Sequence, residues 1–386
     1  CWNTATIPDH WKEAFVVAIY KNKGHPELPK SYRPISLLNS LYKIYARLIQ
    51  KRLSNSLEPR IRNRQHGFRK NHSTSDPIHT LRRLMELFEA TREPLYLLFI
   101  DWEMAFDKIT REGLICSLRR LHLPEHVLNV IENMYSHTPF RVRDSDNISQ
   151  VEIQATGIRQ GCPLSPYLFI LFMSVLMHDV EAAYRIEMGN AVHTHSAADP
   201  LFDLEYADDT VLMSRSTFSI TKLLHCLQNE AAPYGMALNR AKTKLLVVSG
   251  PPAGVVTFTD NSPVHVVDNN ESLEYLGTVL NRKGSPKITL TTRLARAKQE
   301  FNKLSQFWSH ANIKTELKVR VFRQIFYPMV LYGLTHVWLT DSLRNRLDAW
   351  HCRALRRIVR VKVSMISHVT NEIIYNKTNC IPISKE

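Results

Sequence analysis

The sequence predicts an α+β fold in which strands and helices are mixed up to about residue 281 and helices alone follow. Two apolar stretches, 94–102 and 201–213, have the length of strands, and YADDT interrupts the second as in a tight hairpin. Apolar residues spaced by three and four after residue 165 and after residue 287 are typical of amphipathic helices. At 386 residues, 44% of them hydrophobic, the chain is long enough for more than one domain.

The first predicted elements are a strand and a helix. EAFVVAIY (13–20) predicts the strand, and a loop rich in Lys, Gly and Pro follows it. The helix after that loop has apolar residues at helical spacing, namely Leu37, Leu41, Ile44 and Leu48. Further along, PLYLLFIDW (94–102) opens with Pro and predicts a buried strand that ends in Asp101.

A long helix is predicted after the segment GIRQGCPL. Ser165 is the expected N-cap, and Pro166 lies in the first turn. The residues expected to face the core are Phe169, Phe172, Val175, Leu176 and Val180. The strands that follow would place Asp208 and Asp209 at the tip of a hairpin.

The C-terminal third predicts helices that begin after a linker at GSPK (284–287). The first of these helices has a narrow apolar stripe made of Leu294, Ala297, Phe301, Leu304 and Trp308. Two more helices are expected across ELKVRVFRQIFY (316–327) and LRNRLDAWHCRALRRIVRVK (343–362).

Positive charge is concentrated at the two ends of the chain. Residues 1–75 contain 14 Lys and Arg against 4 Asp and Glu, residues 76–281 contain 16 against 26, and residues 282–386 contain 20 against 6. Basic surfaces bind polyanions, and an acidic centre must hold cations before a polyanion can approach it. This distribution favours a nucleic-acid-binding protein over one whose charges only solvate its surface.

The sequence argues against a membrane protein and against a disulfide-stabilised one. The apolar run 167–177 has 11 residues, fewer than the roughly 18 that suggest a span, and the N-terminus has no signal-like pattern. The six cysteines show no C-x-x-C spacing, so we expect neither a zinc ribbon nor disulfides, and a reducing compartment. His193 and His195 are expected in a polar surface loop rather than at a metal.

Asp101, Asp208 and Asp209 are the candidate catalytic residues. If their strands are neighbours in one sheet, three carboxylates meet at one edge, where like charges require a hard divalent cation. Two Mg²⁺ ions about 3.5–4 Å apart would activate an attacking oxygen and stabilise a leaving phosphate. Such aspartates fit a nuclease or a polymerase equally well, and Asp101 is also compatible with a simple turn residue.

Seven motifs occur in one order along the chain. They are YRPISLLNSLYKIYARLIQKRL (32–53), QHGFRKNHSTSD (65–76), FIDWEMAFDKI (99–109), GIRQGCPLSPYLF (157–169), YADDT (206–210), GMALNRAKTK (235–244) and EYLGTVL (274–280), followed in the tail by YGLTHVW (332–338) and ALRRIVR (354–360). In these motifs the chain resembles the reverse transcriptases of non-LTR (LINE-like) retrotransposons. The resemblance implies a right-hand polymerase with fingers at 1–90, an antiparallel-sheet palm at 91–281 and a basic, all-helical thumb with the C-terminal tail at 282–386.

The resemblance also implies roles for individual residues. Asp101, Asp208 and the carbonyl of Trp102 would bind metal ions, and Asp209 would complete the acidic site. The implied nucleotide-binding residues are Phe106 as a steric gate against the ribose 2′-OH, Gln160 and Gly161 in a loop facing the nucleotide, Lys21 and Arg33 at the triphosphate, and Lys242 near the pyrophosphate as a proton donor. Lys23 or Lys30 could take the part of Lys21, Phe106 is also compatible with a core residue, and Lys242 with a surface lysine.

The implied reaction is RNA-templated addition of dNMP to a DNA primer 3′-OH with two Mg²⁺ ions, or Mn²⁺ in their place. The implied partners are an RNA template, a DNA primer and dNTPs, without a membrane or a disulfide partner, in the nucleus or cytoplasm of a eukaryotic cell. The alternatives are a catalytically inactive or host-adopted nucleic-acid-binding reverse-transcriptase fold, a protein like a group II intron maturase, and a telomerase-like polymerase. The sequence does not predict the oligomeric state.

Overall fold

The structure is a computed structural model that describes residues 1–386 apart from 23, 190–201, 251–253, 283–285, 311 and 335–336. The chain forms two compact units, one made of Cys1–Pro77 and Thr91–Val266 and the other of Ile78–Ala90 and Val267–Glu386. Lys23, His193, His195 and the first two residues of the predicted linker lie outside the described residues, and the last two linker residues, Pro286 and Lys287, belong to a helix and not to a linker. The division into fingers, palm and thumb stays a prediction.

The first unit contains two β-sheets. Its strands are β1 (Ala14–Tyr20), β2 (Tyr32–Leu38), β3 (Leu95–Ile100), β4 (Pro139–Asp144), β5 (Asn147–Ile148), β6 (Glu152–Ile153), β7 (Asp203–Tyr206), β8 (Asp209–Ser214), β9 (Lys244–Val248) and β10 (His265–Val266). One sheet has the order β2-β1-β4-β5, with β6 also paired to β4, and the other has the order β10-β9-β3-β8-β7. The strands predicted at 13–20 and 94–102 are confirmed as β1 and β3.

Strand β3 lies in the middle of the second sheet. It pairs antiparallel with β8 on one side and with β9 on the other. All of its residues except Phe99 are buried. A strand covered on both faces is apolar at consecutive positions, which accounts for the uninterrupted run LYLLFI.

Helices cover the sheets of the first unit. In chain order they are α1 (Asp9–Lys12), α2 (Ser40–Leu57), the first residues of α3 (Ser75–Thr91), α4 (Ala105–Lys108), α5 (Arg111–Arg120), α6 (Glu125–Tyr135), α7 (Ser165–Met188) and α8 (Thr217–Ala231). The five residues of α7 that were expected to face the core are all buried. The N-cap of α7 is Leu164, so the predicted cap at Ser165 is wrong by one position. Ser165 lies in the helix, and its hydroxyl forms a 2.9 Å hydrogen bond with that of Tyr135.

Helix α7 is long and apolar enough to cross a membrane by length and composition alone. Within its most apolar window, however, 72% of the helix is buried inside the structure. A helix that is hydrophobic all round and covered by protein is typical of the centre of a core.

Helix α2 is confirmed, but it buries a different face from the expected one. The buried residues are Tyr42, Ala46, Ile49, Leu53 and Leu57. The residues of the predicted stripe are instead exposed, namely Leu37, Leu41, Ile44 and Leu48. The first of them, Leu37, belongs to β2 and not to the helix. Both faces carry apolar residues at helical spacing, so the periodicity alone could not decide between them.

The second unit is mainly helical. Its elements are residues 78–90 of α3, β11 (Leu273–Tyr275), β12 (Thr278–Leu280), α9 (Pro286–Lys303), α10 (Ser305–Ser309), α11 (Thr315–Leu331), α12 (Asp341–Ile358), α13 (Ser364–Ser367) and α14 (Asn371–Thr378). The helix predicted to continue through Trp308 breaks at Leu304. Trp308 still faces the core, where it stacks on Phe301 at 4.9 Å between ring centroids and its Nε1 donates to the Phe301 carbonyl at 2.9 Å.

Candidate active site

The YADDT stretch forms a two-residue hairpin turn. Tyr206 and Asp209 are the last pair of the β7/β8 ladder, which leaves Ala207 and Asp208 as the central residues. Ala207 has a φ of +58°, which suits the twist of a two-residue hairpin but is uncommon for a residue other than glycine. The predicted hairpin is confirmed, with Asp208 in the turn and Asp209 as the first residue of β8.

The third predicted carboxylate lies at the same edge of the sheet. Ile100, the last residue of β3, pairs with Thr210 of β8. One step further along this antiparallel ladder, Asp101 is opposite Asp209. The register of two neighbouring strands therefore brings Asp101 to the turn that carries Asp208.

The carboxylates at this edge repel one another. Asp208 and Asp209 are exposed by surface area, yet packing around the turn withdraws water from their carboxylates. Desolvation, followed by the charges of Asp208 and Asp101, raises the pKa of Asp209 to about 7. Desolvation and the charge of Asp101 also raise the pKa of Asp208. Each ionised carboxylate makes ionisation of the next one more costly, and a bound cation would relieve this cost.

Lys242 lies beside Asp101. Its Nζ is 3.3 Å from Asp101 Oδ2. The segment that carries Lys242 is joined to the backbone around Asp101, because the amide of Asn239 donates to the Asp101 carbonyl at 2.7 Å and the amide of Glu103 donates to the Ala237 carbonyl at 2.8 Å. Two motifs that are far apart in the sequence, 99–109 and 235–244, therefore meet at one place.

Trp102 is buried next to Asp101. Its indole Nε1 donates to Thr210 Oγ1 at 3.4 Å. Trp102 pairs with Leu238 in a single antiparallel bridge, whose hydrogen bonds come from the residues on either side of Trp102. The bridge does not use the carbonyl of Trp102, which is the atom that the resemblance assigns to metal binding.

The ligands at this edge suit a hard divalent cation. Carboxylate oxygens are the ligands that Mg²⁺ prefers in proteins. Asp101 Oδ2 is buried and forms no hydrogen bond within the described residues. Its ion pair is the one with Lys242. The residues present therefore fit a site for divalent cations.

A second group of predicted site residues surrounds Asp107. Gln160 Nε2 donates to both of its carboxylate oxygens, at 3.0 and 3.1 Å. Desolvation raises the pKa of Asp107, and the hydrogen bond from Gln160 and the charge of Lys21 oppose that rise. Phe106 is half-buried and stacks on Phe169 at 4.3 Å between ring centroids. The structure thus brings Lys21, Phe106 and Gln160 together around an aspartate that sequence analysis did not single out.

Gly161 lies against strand β2. It has a φ of +118°, and a β-carbon at this position would be 2.5 Å from the Ser36 carbonyl oxygen. The Ser36 amide donates to the Gln160 carbonyl at 2.7 Å. Loop and strand approach this closely because residue 161 is a glycine.

The basic residues predicted to bind a triphosphate lie at the start of β2 and in the loop before it. Arg33 is an exposed residue of β2. Lys21 Nζ donates to the Lys30 carbonyl at 2.8 Å, and the Lys21 amide donates to the Ser31 carbonyl at 2.8 Å. Among the alternatives to Lys21, Lys30 is thus adjacent to it and Lys23 lies outside the described residues.

Gln65 supports the hairpin turn from the protein interior, and sequence analysis did not identify it as a site residue. Its side chain is fully buried. Oε1 accepts from the amides of Ala207 and Gly67, both at 2.8 Å. Nε2 donates to the Ala207 carbonyl at 3.3 Å and to Glu205 Oε2 at 3.1 Å. The motif QHGF was a signal for this residue, but nothing in the sequence pointed to its partner.

Two buried carboxylates lie behind the turn, on β7. Asp203 is 1% exposed and Glu205 is fully buried. Arg62 contacts Asp203 at 2.7 Å and Glu181 at 2.9 Å, and Arg64 contacts Asp203 at 3.0 Å. Burial, together with the neighbouring Asp203, raises the pKa of Glu205 well above its usual value. These acids can be buried because the guanidinium groups of two largely covered arginines, 13% and 17% exposed, lie against them.

Comparison with known protein families gives a match over most of the chain. Residues 19–280 match the family described as "Reverse transcriptase (RNA-dependent DNA polymerase)".

Several curated proteins are similar over nearly the whole chain. The chain is 29% identical over 371 residues to "Probable RNA-directed DNA polymerase from transposon BS" of Drosophila melanogaster, an alignment that covers 91% of the chain and 39% of that protein. It is 26% identical over 368 residues to "RNA-directed DNA polymerase from mobile element jockey" of the same species, covering 91% and 38%. It is 24% identical over 381 residues to the "Retrovirus-related Pol polyprotein from type-1 retrotransposable element R2" of Popillia japonica, covering 96% and 50%. The chain spans half or less of the length of these relatives.

The fold is similar to that of a solved viral polymerase. An insertion loop deletion mutant of the RNA-dependent RNA polymerase of a human picorbirnavirus matches with a TM-score of 0.50 and 12% identity, covering 96% of this chain and 63% of that one. At this identity the likeness concerns the fold alone. The predicted α+β right-hand polymerase fold is confirmed.

Proposed function

The chain belongs to the reverse transcriptase (RNA-dependent DNA polymerase) family, with relatives in LINE-like mobile elements, and on this basis we propose that it is an RNA-directed DNA polymerase. The reaction would add dNMP to a primer 3′-OH on an RNA template. The observation that carries the proposal is the meeting of Asp101, Asp208, Asp209 and Lys242 at one edge of the sheet. This edge supplies both the negative charge that binds cations and a positive charge for phosphate.

Members of this family use divalent metal ions, and we propose two Mg²⁺ ions here, for which Mn²⁺ would substitute. Asp101, Asp208 and the carbonyl of Trp102 would hold them, with Asp209 adding to the negative potential. When bound, the ions would neutralise the triphosphate and activate the attacking hydroxyl.

Lys242 would bind the departing pyrophosphate and donate a proton to it. General acids act within hydrogen-bond distance of the atom that they protonate. The ammonium group of Lys242 already lies 3.3 Å from Asp101, so a short movement of an exposed side chain would bring it to a phosphate at the same edge.

The residues around Asp107 would bind the incoming nucleotide. Gln160 is oriented by its two hydrogen bonds to Asp107, and Gly161 lets the backbone of this loop approach closely. Phe106 would exclude a ribose 2′-OH with a ring that Phe169 holds in place. Lys21 and Arg33 would bind the triphosphate.

The wider assignment follows from the same proposal. Residues 1–90, 91–281 and 282–386 would be the fingers, palm and thumb. An RNA template, a DNA primer and dNTPs would be the partners, within the nucleus or cytoplasm of a eukaryotic cell.

Primer extension tests the proposal. The purified chain is supplied with a primed RNA template, dNTPs and Mg²⁺, and wild type and Asp208→Ala are compared. Asp208→Ala should abolish extension while the Kd for the primer–template duplex changes little, because the turn is exposed and its fold does not depend on the carboxylate. Asp146→Ala, at another exposed turn, serves as the control and should extend like wild type. Phe106→Ala should incorporate rNTPs more readily relative to dNTPs.

Two outcomes would count against the proposal. Extension by Asp208→Ala at the wild-type rate would exclude the metal-binding assignment. Duplex binding by a wild-type chain that incorporates no nucleotide would instead indicate a nucleic-acid-binding protein without polymerase activity.

A further inference from the structure

A group of metal-ligating side chains lies in the segment 65–76, outside the acidic edge. Among the described residues, His66, His72 and Asp76 bring one ligand atom each within 4.8 Å of the others. The Nδ1 atoms of the two histidines are 3.1 Å apart. Asp76 Oδ2 lies 3.9 Å from Nδ1 of His66 and 4.0 Å from Nδ1 of His72. The proposed polymerase reaction uses none of these three side chains.

We propose that His66, His72 and Asp76 form a site for one d-block divalent cation, with Zn²⁺ as the best fit. Two imidazole nitrogens and one carboxylate suit zinc and its neighbours in the periodic table, whereas Mg²⁺ prefers oxygen ligands alone. With Zn–N bonds of about 2.0–2.1 Å and tetrahedral angles, two ligating nitrogens are about 3.3 Å apart. The separation of 3.1 Å between the histidines is close to that value. Three protein ligands leave the fourth position to water.

Two small adjustments convert the observed arrangement into a metal site. A nitrogen pair at this distance without a metal shares one hydrogen, so one ring carries its hydrogen on Nδ1. For both lone pairs to face an ion, that hydrogen must lie on Nε2, a change of tautomer that releases no net proton.

The carboxylate of Asp76 must also approach the two nitrogens by roughly half an ångström, given usual Zn–O bonds of about 2.0–2.2 Å. Its side chain is 44% exposed, so no close packing of neighbouring side chains opposes a shift of this size. Asp76 Oδ2 accepts a hydrogen bond from the Ser73 amide at 2.8 Å. The same oxygen lies nearest the two histidines, and because a carboxylate oxygen has two lone pairs, Oδ2 can keep this amide and bind an ion at the same time.

The proposed site is joined to the hairpin turn through the backbone. The amide of His66 donates to the Glu205 carbonyl at 2.9 Å. A β-carbon on the next residue, Gly67, would lie 2.3 Å from the amide nitrogen of Ala207. An ion on His66 would therefore stabilise the segment against which the turn packs. We expect zinc to raise the melting temperature of the protein.

Zinc titration of the full chain tests the proposal without reference to activity. Protein is freed of metal with a chelator, dialysed and titrated with ZnCl₂ in a calorimeter, and bound zinc is counted by mass spectrometry. We expect one zinc per wild-type chain, with affinity at least about tenfold lower in His66→Ala and in His72→Ala. His178→Ala is the matched control because its ring is exposed and outside the group, and it should bind like wild type. Co²⁺ should give visible absorption bands that His72→Ala loses.

Two further variants sharpen the result. Asp76→Asn keeps an oxygen for the Ser73 amide and removes the charge, so it should weaken zinc binding without unfolding the loop. Asp208→Ala removes a carboxylate from the acidic edge and should leave zinc binding unchanged. The proposal is overturned if folded wild-type protein binds no zinc, if His66→Ala and His72→Ala bind it as tightly as wild type, or if Asp208→Ala abolishes binding.

Discussion

Gln65 forms hydrogen bonds through its side chain with both the amide and the carbonyl of Ala207, the residue with positive φ next to Asp208. These two residues are 142 positions apart in the sequence. A buried side chain with fixed partners thus holds a turn whose conformation costs free energy in a residue other than glycine. The orientation of Asp208 depends on this contact.

Replacing Gln65 by Leu should slow catalysis without weakening substrate binding. The backbone groups of Ala207 and Gly67 would lose their partner, at a cost of about 1–3 kcal/mol in the free energy of unfolding for each buried group left unsatisfied. Because the turn would relax, kcat for primer extension should fall while the KM for dNTP and the Kd for the duplex stay near wild type.

Gln228→Leu is the matched control for that variant. Gln228 also accepts a backbone amide, that of Thr259 at 3.0 Å, a residue outside the turn. It should lower stability without a change in kcat. Equal kcat values for Gln65→Leu and wild type would show that Gln65 is structural only.

Gly161→Ala should disturb the loop that carries Gln160. The new β-carbon would meet the Ser36 carbonyl at 2.5 Å and would require a φ of +118°. Gly250→Ala separates the steric clash from the cost of the positive φ, because Gly250 has a φ of +85° but nothing lies within 4 Å of the added atom. We expect about 1 kcal/mol of destabilisation from φ alone in Gly250→Ala, and more in Gly161→Ala, together with a higher KM for dNTP. If the two variants have the same KM, close packing of the loop on β2 does not matter for nucleotide binding.

Arg62→Met should destabilise the first unit strongly. It would leave Asp203 and Glu205 buried with less compensating charge, and breaking a buried ion pair in this way costs about 3–5 kcal/mol. Arg185→Met is the matched control, since Arg185 also pairs with Glu181, at 2.7 Å, but is half exposed. Its loss should cost less than about 1 kcal/mol. Urea unfolding of both variants measures the difference, and similar midpoints would contradict the role given to the buried network.

The stability of the second unit should fall in acid because of His351. This histidine is fully buried, and its Nε2 is 3.0 Å from the Tyr327 hydroxyl. Burial lowers its pKa to about 4; the charge of Asp348 partly opposes this decrease, and the charge of Arg323 adds to it. Its pKa in the unfolded chain is about 6.5. Between these values the unfolded state binds more protons, so the free energy of unfolding falls as pH decreases, by up to about 1.4 kcal/mol per pH unit, and this effect levels off below the folded pKa.

His351→Gln should remove that slope. Urea unfolding followed by tryptophan fluorescence between pH 7 and 4 measures it, since Trp308 and Trp350 belong to the same unit. A variant with the same pH dependence as wild type would mean that other groups are responsible.

Local patterns were sufficient to predict the elements that carry the acidic residues. Strand β3 has a continuous apolar run, and the YADDT hairpin has strands on both sides with almost no loop between them, so each could be recognised within a dozen residues. The pairing of β3 with β8 could not be predicted in the same way, because no local pattern specifies which strands are neighbours in a sheet.

Contacts between distant segments could not be predicted. The prediction of which face of α2 is buried was wrong because both sides of that helix are apolar. Which side is buried depends on the segments that pack against the helix. Gln65 and Asp107 were missed for a similar reason: each acquires its importance from a partner in another motif, Ala207 in one case and Gln160 in the other. The aspartates were predicted from the strand and hairpin patterns and Lys242 from the family resemblance, and the geometry that joins them comes from the structure.

The ion pair between Lys242 and Asp101 gives the acidic edge a counter-ion of its own. Because the ammonium group is tethered to the chain, its local concentration is set by the protein and not by the buffer. Mobile salt screens this pair but does not remove it. Any cation that comes to Asp101 therefore competes with an amine that never diffuses away, and the edge keeps less net charge in dilute buffer than its three carboxylates alone would give it.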